Sequence, residues 1–147
     1  MAATPTQPSP QSIPIIAIGK TRATALALSS FFSAPGKETP YYLAAVLDMT
    51  ESPEEYQFSA KNFGAALWAM HPRPRAVVCG LAVGEEFLGV VEGVWGEFVR
   101  EALLDGEGEG KGSGGVVALH RWHPTTGPPP PGLEEELLRQ LDALFRD

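Results

Sequence analysis

Cysteine is almost missing from this sequence. Cys79 is the only one in 147 residues, which rules out an internal disulfide and a cysteine-based metal cluster. It lies in the apolar stretch "RAVVCGLAVG", where a thiol reads as a small buried hydrophobe without reactivity. Basic charge is also scarce. Eleven Lys and Arg face eighteen Asp and Glu, giving a net charge of −7 and a pI near 4.9. The chain is therefore expected neither to bind nucleic acid nor to dock on an anionic membrane. No apolar run approaches the roughly 18 residues that a membrane helix needs. The opening "MAATPTQPSPQSIP" lacks the basic start and apolar centre of a secretory leader, and the arginine of a mitochondrial one. A cytoplasmic location is the default expectation.

What is present points to one layered domain. A composition 44% hydrophobic and 20% charged fits a globular chain, and its length suffices for one core but not for two ordinary ones. Residues 1–12 read as a floppy tail, and "DGEGEGKGSGG" at 105–115 reads as a flexible loop that can bury nothing. "HPTTGPPPPG" at 123–132 reads as an extended segment, either a spacer or a polyproline ligand for another protein. The remainder, within a single domain over 13–147, alternates strand and helix.

"IPIIAIG" is a short β-branched run ended by glycine, as a strand buried on both faces should be. "TRATALALSSFF" follows, with Ala23, Leu26, Ala27 and Phe31 at helical spacing. "YYLAAVLDM" reads as a second strand and "SAKNFGAALWAM" as a second helix, with Phe63, Ala66, Leu67 and Met70 on one side. "RAVVCGLAV" is a third strand, "EEFLGVVEGVWGEFVREALL" a long third helix, and "GGVVALHRW" a fourth strand. "LEEELLRQLDALFRD" closes the chain as a helix that turns Leu137, Leu141, Leu144 and Phe145 inward. Four strand–helix units predict a small doubly wound α/β fold, Rossmann-like or flavodoxin-like. Its four-stranded sheet is expected to be mainly parallel, with helices on both faces. By analogy with such folds the strand order is 2-1-3-4, with a switch point between the first and third strands.

Gly19-Lys20-Thr21, at the end of the first strand, is not a P-loop. In G-x-x-x-x-G-K-[ST] the first glycine position would fall on Pro14, and the residues between, Ile15 to Ile18, belong to a strand. The turn Gly19-Lys20-Thr21-Arg22-Ala23-Thr24 has the first glycine of G-x-G-x-x-G, with Thr21 and Thr24 at the other two positions. Residues 13–49 thus resemble the first βα unit of Rossmann-like nucleotide-binding domains. The resemblance implies a nucleotide or dinucleotide ligand such as NAD or NADP at this turn, and it gives Asp48 the place of the acid that binds ribose hydroxyls. Charge singles out the same corner. The third helix opens with Glu85 and Glu86 and the last with Glu134, Glu135 and Glu136, which would repel an anion, whereas the first opens with Lys20 and Arg22. Those two residues are an anion site or merely solvated charges. Gly80 to Gly84, after the third strand, would form the facing wall or simply the turn into the next helix.

Catalytic signatures are missing. His120 and His123 lie three apart on an expected strand and so point to opposite faces, and no HxH or HExxH companion occurs, so no metal site is expected. His120 remains the one acid–base candidate, without an evident nucleophile or G-x-S-x-G elbow beside it. His71 precedes the third strand and is expected at the opposite edge of the sheet. The helix at 85–104 carries more apolar surface than a sheet needs, from Phe87 and Leu88 through Val90, Val91, Val94, Trp95, Phe98 and Val99 to Leu103. Its surplus would pack on a neighbouring helix or on a second copy, and Gly89, Gly93 and Gly96 occupy the remaining arc. The expectation is a domain that binds an anionic or nucleotide-like small molecule at the C-terminal edge of its sheet. The alternative is a non-catalytic, self-associating interaction or scaffold protein, a homodimer through 85–104.

Overall fold

The computed structural model describes residues 13–32, 39–50, 52–53, 57–70, 72–103, 115–123 and 131–145. The expected tail at 1–12, the loop at 105–115 except Gly115, the stretch 124–130 and His71 lie outside the described residues.

Strands β1 (Ile13–Gly19), β2 (Tyr41–Asp48), β3 (Ala76–Cys79) and β4 (Gly115–Ala118) form one sheet in the order β2-β1-β3-β4. Every neighbouring pair is parallel. The helices are α1 (Arg22–Ala27), α2 (Ser29–Phe32), α3 (Ala60–Ala69), α4 (Glu85–Phe98), α5 (Leu119–Trp122) and α6 (Leu133–Phe145). Successive strand residues point to opposite faces, so the apolar run of β1 feeds two cores at once. Ile16, Ile18, Val77 and Cys79 meet Phe63 and Leu67 of α3 and Leu88, Val91, Trp95 and Phe98 of α4. Ile15, Ala17, Val78 and Val117 meet Ala25, Leu28, Phe32, Leu137 and Leu141 on the other face. This is a small doubly wound α/β fold, as the strand–helix repeat predicts. The β1–β2 register shifts between Ile15 and Ile16, leaving Ala44 without a partner on β1.

Four details differ from expectation, each for a local reason. The helix expected over Thr21–Phe32 breaks at Leu28. There Ser29 Oγ donates to the Leu26 carbonyl (2.9 Å) and Ser30 Oγ to that of Ala27 (2.8 Å), competing with helical N–H groups. The core stripe of this segment is Ala25, Leu28 and Phe32, while Leu26 is 43% exposed. "TALALSSFF" is apolar on nearly every side, so spacing alone does not choose the phase. β3 ends at Cys79, because Gly80 and Val83 close a turn (Val83 N–H to Gly80 carbonyl, 3.1 Å). β4 ends at Ala118, and "LHRW" coils into α5, closed by the His123 N–H on the Leu119 carbonyl at 3.0 Å.

The apolar surplus of α4 is partly absorbed within the domain. Val94 packs across α3 beside Gly64, and the Phe87 ring stands edge-on to Phe58 with centroids 5.9 Å apart. The α-helix ends at Phe98, and a wider π-type turn continues over Val99–Leu103. No helix among the described residues is long and apolar enough to cross a membrane.

Cys79 is fully buried, and burial foremost, with the field of Glu92, pushes its thiol up to about 12. It is expected to resist DTNB (5,5′-dithiobis-(2-nitrobenzoate)) at pH 8 in the folded protein and to react at once in guanidinium. Absorbance at 412 nm checks this, and stoichiometric labelling of the native protein would contradict it.

Candidate functional site

In a parallel sheet of this order, the chain leaves β1 and β3 in opposite directions and opens a crevice beyond their C-terminal ends. The structure has a cavity of about 300 Å³ there. Ile18 and Gly19 of β1 and the following Lys20 form one side. Thr24 and Ala27 of α1, Leu28 at the break and Phe31 of α2 add a second side. Gly80, Leu81 and Ala82 form the opposite wall, and Leu119 of α5 and Leu133 of α6 complete it.

Of the residues expected at the site, Gly19, Lys20 and Gly80 thus come together. Thr21, Arg22, Asp48 and Gly84 lie outside the wall. Gly19 is close-packed, since a Cβ on it would stand 3.1 Å from the Ala25 nitrogen, so glycine here lets α1 dock on β1. Thr21 caps α1, its Oγ1 accepting from the Thr24 N–H (3.1 Å) and sharing a 2.7 Å hydrogen bond with the Thr24 hydroxyl. Arg22 opens α1 and is exposed. Asp48 is buried, with 1% exposure, and its carboxylate accepts from the Ser52 N–H (2.8 Å) and the Ser52 hydroxyl. Gly84 is the N-cap of α4, which opens on Glu85 and Glu86.

Sequence reasoning missed Ala27, Leu28, Phe31, Leu119 and Leu133 as wall residues. A signal existed only for Ala27 and Phe31, as apolar positions beyond the core stripe of Ala25, Leu28 and Phe32.

The backbone around the cavity is largely satisfied by the chain itself. The Gly80 N–H donates to the Ile18 carbonyl (2.9 Å), and the Gly80 carbonyl accepts from Val83. The Met49 N–H bonds the carbonyls of Gly19 (3.1 Å) and Lys20 (3.2 Å), and the Thr50 hydroxyl also donates to Lys20 (2.9 Å). His120 Nδ1 lies 2.8 Å from the Leu81 carbonyl. A carbonyl only accepts, so Nδ1 carries a proton and donates here. His120 is therefore a brace for the Leu81 turn. The His123 ring lies at a tilt beside that of Trp122 instead (centroids 5.7 Å apart), and no metal-ligand cluster occurs among the described residues.

Arg121 fixes α5 to α4. Its guanidinium grips Glu85 (Nε to Oε2, 2.9 Å) and Glu92 (Nη1 to Oε2, 2.7 Å), with further bonds through Nη2. These hydrogen bonds hold both carboxyls below the usual glutamate range. A carboxyl with a depressed folded value stabilises the fold above its unfolded value and loses that contribution as the pH falls through the folded one. Carboxyl NMR titration is expected to show Glu85 and Glu92 protonating below the usual glutamate range, and Arg121→Met should return both to it. Unchanged titration in the variant would dismiss the clamp.

No protein-family model, curated protein or solved structure matches this chain. The four-stranded parallel sheet is compatible with a Rossmann-like α/β architecture, and the chemistry of the site rests on its own residues. Among those described, no ion pair engages the Lys20 ammonium, which is exposed at the cavity.

Proposed function

We propose that this domain binds a small anionic or nucleotide-like molecule at the C-terminal edge of its sheet. One observation carries the reading: a cavity lies at the switch point between β1 and β3, with Gly19, Lys20 and Gly80 on its wall. Lys20 supplies the attraction for a negative group. The Thr24 hydroxyl adds a polar contact beside it. Binding, rather than a particular reaction, is the function this geometry supports.

Calorimetry with NAD(H), NADP(H), FMN, inorganic phosphate and small organic acids tests it. At least one is expected to bind, with Lys20→Ala weakening it about tenfold, the order of a single charge-assisted contact. Silence of the whole panel at millimolar concentration would remove the proposal.

Self-association through α4 is a second reading. It draws on Phe87 and Val90, 37% and 39% exposed beside the open line of Gly89, Gly93 and Gly96. Light scattering decides it: a dimer that Val90→Glu dissociates would support it, and a monomer at 0.1 mM or above, on the order of a weak complex, would end it.

A further inference from the structure

Resting on the binding site proposed above, we infer that its ligand is a small carboxylic acid with an apolar body, rather than a nucleotide. The first ground is the wall. Leu28, Phe31, Leu81, Leu119 and Leu133 offer only hydrocarbon and aromatic surface. Several backbone groups at the wall are already engaged within the chain. Gly80 is bonded through both N–H and carbonyl, the Leu81 carbonyl holds His120, and the Gly19 and Lys20 carbonyls hold Met49 and Thr50. At the start of α1 the Thr24 N–H, one of the donors a phosphate would seek, is taken by Thr21.

A purine or nicotinamide buried against this wall would leave ring nitrogens and amide groups without partners, a cost that polar groups meet in any apolar setting. The acid expected to read ribose, Asp48, is buried under Ser52. A hydrocarbon or phenyl body has no such demand.

Size agrees. A cavity of about 150 Å³ holds benzene, so one of about 300 Å³ suits roughly a dozen non-hydrogen atoms. Phenylpropanoate and octanoate fit that size, whereas a dinucleotide is several times larger. Charge sets the orientation. Lys20 is exposed and outside any ion pair among the described residues, so the carboxylate sits at the mouth and the body inside. The carboxylate keeps much of its water there, avoiding the cost of burying a charge.

The test uses the full chain and four probes: 3-phenylpropanoate, octanoate, 3-phenylpropanamide and AMP, with NAD as a fifth. By calorimetry or chemical-shift perturbation the two acids are expected to bind with a Kd of about 1 mM or tighter. The amide, of equal size but uncharged, should bind at least tenfold more weakly. Lys20→Gln should erase the difference between acid and amide. Ala27→Trp, at an exposed helix position on the cavity wall, should abolish both without lowering Tm.

Two results would overturn the inference while leaving the binding site in place: AMP or NAD binding tenfold tighter than either acid, or amide and acid binding equally to the wild-type protein. If no probe binds and the wider panel is also silent, the site itself falls. The acid–amide comparison in the wild-type chain needs no variant to fold.

Discussion

Phe98→Ala is expected to destabilise the protein by about 3–5 kcal/mol, the range for removing a large buried ring. Phe98 is 1% exposed at the end of α4, and its ring meets Trp68 edge-on and Trp95 at a tilt, each with centroids 5.5 Å apart. Truncation leaves a void that two indoles cannot fill without shifting the helices that carry them. For a chain of this length the midpoint should fall by something on the order of 10 °C. Urea unfolding followed by tryptophan fluorescence reads the loss directly, and Val90→Ala, on an exposed position, serves as the control with a change within about 0.5 kcal/mol. A cost below about 1 kcal/mol for Phe98→Ala would mean that α4 is not packed as described.

Asp48→Ala should cost about 2–4 kcal/mol, since it removes the acceptor of two hydrogen bonds to a buried carboxylate. The Ser52 N–H and hydroxyl both end on that group. The same turn is tied at its other side, where Gln57 Nε2 donates to the Ser52 carbonyl (2.8 Å) and the Phe58 N–H to the Asp48 carbonyl (2.7 Å). Losing the carboxylate therefore loosens the path from β2 to α3. A residue serving only a ligand would behave differently: its replacement would leave the midpoint alone and change affinity. An unaltered Tm in Asp48→Ala would contradict this structural role.

This residue shows what sequence reading can and cannot deliver. The position of Asp48 at the end of β2 follows from an apolar run and its neighbours. Its partner depends on how the chain folds back after Met49, which no periodicity encodes. β1 was legible because burial on both faces forces an unbroken β-branched run, and α6 because its leucines recur on one side. The parallel sheet follows from short strands separated by helix-length segments, whereas its order came only from analogy with doubly wound folds. The phase of α1 was not legible, since alanines and leucines surround it on every side. Leu119 and Leu133 reach the cavity from segments far along the chain, so only assembled packing reveals them. The sequence marked the corner of Gly19 and Lys20 by charge, but the apolar character of the space beside it came from residues selected by tertiary proximity.

The extra residue at Ala44 bears on the outer edge of the sheet. β2 ends the strand order, where a lengthwise row of amide groups would otherwise template another chain. One extra residue throws that row out of step halfway along, so a visiting strand can match the first half or the second but not both. Straightening the irregularity by deleting Ala44 would restore an uninterrupted border and, with it, a route to fibrous stacking.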